Sequence, residues 1–194
     1  INPKSGYIYN ANHSPFLSTS IDENPNPQDF ASNMGFETFN NNRSTRIFEL
    51  VESHKSIDYE TFKKIKYDNK FPTPFNYNFM DVNKIMEMKP DDYPEIADLI
   101  KQIQNWDRST DASSTGAGAY AMFYYTLADK YFYKSYYDRN FSKSLIADCL
   151  EEVKKRMKKY FDSTTVKLGD FQKLVRGDKA VSYTHLTLPT IRTV

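Results

Sequence analysis

Apolar residues recur along this chain with a helical period in its middle and with strand-like or turn-like spacing at its ends. From Arg43 the pattern places Ile47, Leu50 and Val51 on one face, and residues 53–56 mark where that helix stops. Asp58 then has the position and chemistry of an N-cap for a second helix whose Phe62 and Ile65 are expected to point inward. Pro72, Pro74 and Pro90 break helix on either side of a short piece at residues 79–88. Ile96, Leu99, Ile100 and Ile103 follow at i, i+3, i+4 and i+7, which predicts an amphipathic helix running to Trp106. Residues 107–118 are small and polar, with Ser113 or Ser114 suited to cap the next helix. Two long helical patterns at 119–134 and 142–161 come next. In the second, Leu145, Leu150, Val153 and Met157 face inward, and Lys154, Lys155, Arg156, Lys158 and Lys159 form a solvated face. Tyr7, Ile8 and Tyr9 read as a short strand, and residues 17–41, rich in Asn and Pro without a period, as a long surface loop. The expected class is α+β: a helical part at 42–162 with strands near both ends.

Composition narrows the classes. With 194 residues, of which 39% are hydrophobic and 15% aromatic, the chain has enough apolar material for a core, although the mean hydropathy is −0.70. Twenty-six basic against 25 acidic residues leave +1, so no field favours nucleic acid. Cys149 stands alone inside a helical pattern, which excludes an internal disulfide and suits a small buried hydrophobe. His13, His54 and His185 are too far apart in sequence to suggest a zinc site. No apolar run reaches the roughly 18 residues of a membrane span.

Candidate chemistry concentrates in residues 2–16, NPKSGYIYNANHSPF. A strand delivering Asn10 and Asn12 to its end would present side-chain amides, which donate two hydrogen bonds without carrying charge. That suits an oxygen that becomes negative in a transition state. Asn10, Asn12 and Ser14 equally fit turn residues that satisfy their own backbone.

The segment resembles the part of the penicillin acylase (penicillin amidase) family with the pattern NP-x-x-G-x-I-x-N-x-N-x-x-P, in which Asn12 falls on the oxyanion-hole asparagine. Asn42-Arg43-Ser44-Thr45-Arg46-Ile47 resembles the family's next marker, with Arg43 at the arginine position and Asp68 at the Asp that ends the following helix. Asn105-Trp106-Asp107 resembles its WD segment. Residues 169–177, GDFQKLVRG, resemble its late GD-x-x-x-x-x-RG segment.

The resemblance implies that residues 1–181 are part of a four-layer αββα N-terminal-nucleophile hydrolase. Such an enzyme cleaves an acylated amine (a penicillin, an acyl-homoserine lactone or a relative) through a serine acyl-enzyme. It implies a self-cleaving precursor in which the nucleophilic serine and the other chain lie upstream, so that the present segment, part of the nucleophile-bearing chain, is expected to be inactive alone. Asn12 would supply the oxyanion donor, and Arg43 would organise the site or bind a substrate carboxylate. Phe16 and Phe36 would line the acyl pocket, together with Phe30, Met34 and Phe39. No cofactor is required by that chemistry, but a structural calcium ion is implied, for which Asp29 is the candidate ligand. The family points to a periplasmic or secreted protein. Residues 182–194, SYTHLTLPTIRTV, resemble a translated adapter and are expected to be non-native. A helical binding module without catalysis is the alternative that the aromatic content keeps open.

Overall fold

Asparagine and aspartate side chains decide where the first helices start. In a computed structural model, which describes residues 2–73, 83–131 and 141–182, Asn41 caps α1 (Asn42–Glu52) by accepting from the Ser44 N–H, and Asp58 caps α2 (Tyr59–Lys66) by accepting from the Thr61 N–H. Asn41 and Ser44 form both arms of a capping box. The chain divides into two compact units, residues 1–78 and 79–194.

In the first unit the expected strand at Tyr7–Tyr9 does not form. The backbone is extended there, with Tyr7 and Tyr9 half-buried and Ile8 69% exposed, so the period of two survives without a ladder. Its support is the Tyr9 N–H donated to Ser18 O at 2.9 Å and the Thr19 hydroxyl donated to Tyr7 O at 2.8 Å. One backbone rung and one side-chain bond do not make a strand, because the neighbouring chain turns away at once. Residues 15–34 are a succession of 3-10 turns, at Pro15–Leu17, Ile21–Glu23, Pro27–Asp29 and Ser32–Met34. Asn24 knits them together: its Oδ1 accepts from the Ser18 and Thr19 N–H groups at 2.7 and 3.1 Å, and its Nδ2 donates to Thr19 O and Ser20 O at 3.2 and 2.8 Å. The loop expected at 17–41 is therefore ordered by hydrogen bonds more than by packing.

Helices α1 and α2 are joined by a forked ion pair. Arg46 donates from Nε and Nη2 to the two oxygens of Asp68 at 2.8 and 2.9 Å. Burial alone would raise the Asp68 carboxyl, but the Arg46 guanidinium and the Lys70 N–H outweigh it and bring its pKa below the usual value. Phe62, expected inside, is 55% exposed, and Ile65 is half-buried; no other described element covers the Phe62 face of so short a helix.

The second unit is built by apolar packing. Turns at Asn83–Glu87, Pro90–Asp92 and Pro94–Ile96 lead into α3 (Ala97–Gln104), and Gln104 Nε2 fastens them by donating to Ile85 O and Met88 O at 2.9 and 2.7 Å. Helix α3 packs on α4 (Thr115–Tyr131), which packs on α5 (Lys143–Phe161). Ile96, Leu99, Ile100 and Ile103 are buried as the sequence predicts, together with Phe123, Leu127, Ile146, Leu150, Val153 and Met157. Each such side chain is worth roughly 1.5–3 kcal/mol of apolar burial. Helix α4 starts earlier than expected, capped by Ser114 Oγ, which accepts from the Ala117 N–H at 3.1 Å. Its small residues permit close approach: a Cβ on Gly118 would lie 2.1 Å from Val166 O, and one on Gly116 2.5 Å from Trp106 Cβ. Cys149 is buried in α5, and burial pushes its thiol up to about 11, as befits an inert packing residue.

A short helix α6 (Leu168–Phe171) leads to an antiparallel hairpin of β1 (Lys173–Arg176) and β2 (Lys179–Ser182), with Lys173 opposite Ser182 and Arg176 opposite Lys179. Gly177 takes φ +61° in the tight turn, a conformation glycine adopts freely. The described residues are thus mostly helical with one short sheet, an α+β composition in which the strand expected near the N-terminal end is absent. Residues 79–82 of the expected short piece, 132–134 of the expected fourth helix and 183–194 of the expected tail lie outside the described residues.

Candidate active site

A polar constellation in the first unit surrounds the peptide between Ala11 and Asn12. Asn12 has φ +54°, in the left-handed region that asparagine tolerates better than most residues. The Asn12 N–H donates to Asn10 Oδ1 at 2.8 Å, and the Ala11 N–H donates to His13 Nδ1 at 3.1 Å. His13 Nε2 lies 2.9 Å from Leu17 O, and a carbonyl can only accept. The proton of the neutral ring therefore sits on Nε2 and leaves Nδ1 as the acceptor. Tyr9 stacks on that imidazole with ring centres 4.9 Å apart, and its phenol pKa is raised by burial.

The carbonyl side of the same turn is held from the start of α1. Ala11 O accepts from Asn41 Nδ2 at 2.9 Å and from Arg43 Nη2 at 3.1 Å, while Asn12 O accepts from Asn41 Nδ2 at 3.0 Å. Arg43 Nη2 also reaches Asn12 Oδ1 at 3.4 Å. A guanidinium has donors only, so this contact selects the amide rotamer in which the Asn12 oxygen faces Arg43. The Asn12 Nδ2 group then faces away, on an exposed side chain, with neither hydrogen donated among the described residues. Chemically, the arrangement is a neutral double donor whose backbone is tied down on both sides and whose acceptor end is occupied.

Farther back, Tyr7 donates its hydroxyl to Glu52 on α1, and burial followed by that carboxylate pushes its pKa up. The extended segment is thereby anchored at both ends of α1.

Four residues beyond Asn12, Phe16 is buried beneath a turn capped by Ser14, whose Oγ accepts from the Phe16 N–H at 3.2 Å. Phe16, Phe30 and Phe36 form a mutually contacting trio, with ring centres 5.5 Å apart for Phe16 and Phe30, 5.9 Å for Phe16 and Phe36 and 5.8 Å for Phe30 and Phe36. Both Phe36 contacts are edge-on. Phe30 and Phe36 keep part of their rings in solvent, and Met34 and Phe39 are exposed beside them in sequence. Asp29 is exposed at the end of the Pro27–Asp29 turn, and among the described residues no three His, Cys, Asp or Glu side chains gather around a common point. A calcium ion at Asp29 would need oxygen ligands from elsewhere.

Of the residues singled out from the sequence, the fold brings Asn12 together with Arg43, and Phe16 together with Phe36. Asp29 joins neither pair. Asn41 and His13 were not anticipated as parts of the constellation. For Asn41 the signal was legible as an Asn three residues before Ser44 at a helix start. For His13 the pattern held none, since its role depends on a turn that closes back on itself.

No curated protein matches this chain as a relative. A family model for penicillin amidase matches residues 1–186, nearly the full length and including each segment that carries the resemblance. The chain belongs to the penicillin amidase family, whose members are amide-cleaving hydrolases.

Proposed function

We propose that this segment supplies the oxyanion donor to an acyl-transfer site whose nucleophilic serine lies on other residues of the same enzyme. The observation that carries the reading is the Arg43 contact to Asn12 Oδ1, which leaves the Asn12 Nδ2 hydrogens turned outward from a turn tied down on both sides. The serine oxygen attacks the amide carbon of an acylated amine, and the carbonyl oxygen takes up negative charge. Asn12 donates to that oxygen, the tetrahedral intermediate collapses with loss of the amine, and water then hydrolyses the acyl-enzyme. A neutral amide is a good donor for this role because its dipole is already oriented, so no reorganisation is spent when the charge develops.

In this reading the segment contributes to a four-layer αββα core, and the mutually contacting trio of Phe16, Phe30 and Phe36 offers an apolar wall to the acyl group. Penicillins, acyl-homoserine lactones and related acylated amines are the substrate class.

The test is Asn12→Ala in the full-length enzyme. Removing one oxyanion donor lowers kcat by roughly two to three orders of magnitude with little change in KM. An unchanged kcat removes Asn12 from the oxyanion role.

A further inference from the structure

A donor that must meet a transient oxyanion has to be held within about 0.5 Å and 10–20° of its productive position, and a misplacement of about 1 Å can cost on the order of a hundredfold in rate. Asn12 is exposed, sits on a left-handed backbone and belongs to a turn outside any helix or strand. Its precision has to be borrowed from a rigid neighbour, and that neighbour is the first turn of α1.

We infer that Asn41 is a positioning residue for the acyl-transfer site, fastening the Asn12 peptide to the N-terminus of α1; this rests on the oxyanion reading of Asn12. The argument starts from its amide. Asn41 Oδ1 accepts from the Ser44 N–H at 2.9 Å, while both Nδ2 contacts go to the turn, to Ala11 O at 2.9 Å and to Asn12 O at 3.0 Å. The Asn41 N–H in turn donates to Ser44 Oγ at 3.0 Å. Because the helix terminus offers only donors, Oδ1 is committed to it, and the amide cannot flip. Its amino group is therefore aimed at the two carbonyls that flank the Asn12 Cα, Ala11 O before it and Asn12 O after it.

Capping alone would not select this residue. Asp, Asn and Ser cap helices about equally well, since each brings an oxygen. Here the two amide hydrogens are used as well, and Asp and Ser lack them. Aspartate would keep the cap and set a carboxylate against two carbonyl oxygens. Arg43 Nη2, the other α1 donor to this turn described above, already divides itself between Ala11 O and Asn12 Oδ1 and is a poor substitute for Asn41.

The experiment compares Asn41→Asp, Asn41→Ser and Asn12→Ala in the full-length enzyme, singly and with Asn41→Asp placed on the Asn12→Ala background. Turnover of an acyl p-nitroanilide is measured per titrated serine. Both Asn41 variants are expected to lower kcat about 10- to 100-fold, leaving KM within about twofold and Tm nearly unchanged, because the cap is retained. On the Asn12→Ala background, Asn41→Asp should lower kcat no further, since a residue that acts through Asn12 has nothing left to act on. A wild-type kcat in both Asn41 variants, or the same fold-loss in the Asn12→Ala background, overturns the inference. If Asn12→Ala itself leaves kcat unchanged, the oxyanion reading fails first and separately. A crystal structure of the Asn41→Asp enzyme gives a readout that needs no turnover: the Asn12 amide displaced from Arg43 supports the inference, and an unmoved Asn12 overturns it.

Discussion

The two units of this chain hold their working parts by different means. In the first, the turn at Asn12 is kept in place by side chains bonding to backbone: Asn10, His13, Asn41 and Arg43 each contribute directed contacts to one peptide or its neighbour. In the second, α3, α4 and α5 are held by Phe123, Leu127, Leu150 and Met157, each fully buried and none of them directional. Apolar packing supplies stability that scales with buried area but tolerates small rotations. Hydrogen bonds supply less net stability and fix an orientation. In the proposed reading, the directed contacts gathered at the Asn12 turn serve to aim one amide.

The comparison is open to attack from its strong side. Phe123→Ala removes a ring buried in the second unit and should destabilise the full-length protein by about 3–5 kcal/mol, read as a fall in denaturation midpoint. Its kcat, corrected for folded fraction, should stay near wild type. A large loss of kcat in the folded fraction would mean that the packed unit also aims the site.

Arg43→Ala probes the other side. It removes the donor to Ala11 O and Asn12 Oδ1 from an exposed side chain, so kcat should fall about 10- to 100-fold while Tm moves by a degree or two. Equal damage to Tm and to kcat would erase the distinction between orientation and packing.

The smallest effect tests the ion pair between Arg46 and Asp68. Asp68→Asn should cost about 1–2 kcal/mol at neutral pH by breaking the fork with Arg46, an interaction that remains partly solvated. The pKa of Asp68 is lower in the folded chain than its ordinary value of about 3.9. The unfolded chain therefore takes up the proton first. The pair's contribution is fully present above the ordinary aspartate range and is lost as pH falls through the depressed folded value. Thermal melts of the Asp68→Asn and wild-type enzymes should differ at neutral pH and converge in that acid range. Melts that stay apart there would assign the stabilisation to something other than the carboxylate.

How legible these features were in the sequence follows from the range of the forces involved. The helices of the second unit could be read from Ile96, Leu99, Ile100 and Ile103 because a period of 3.6 is a property of neighbouring residues alone, and their burial followed. The caps at Asp58 and Ser114 are local as well. Tyr7 to Tyr9 had the composition and alternation of a strand and still formed none, because a strand is completed by a partner that the segment itself does not specify. Phe62 had helical spacing and stayed exposed for the same reason: an inward face requires something to face.

For the site, the sequence by itself determined the residue types, the left-handed tolerance of asparagine, the start of α1 and, through the ordered motifs, the family. Tertiary structure alone decided that Ala11 O would be shared by Asn41 and Arg43, some thirty residues away, and that His13 would turn its ring nitrogens to Ala11 and Leu17. The physical reason is directionality. Hydrophobic burial and helix period survive being averaged over a window of sequence, whereas a hydrogen bond exists only when two particular groups meet within a few tenths of an ångström, and chain closure sets that distance.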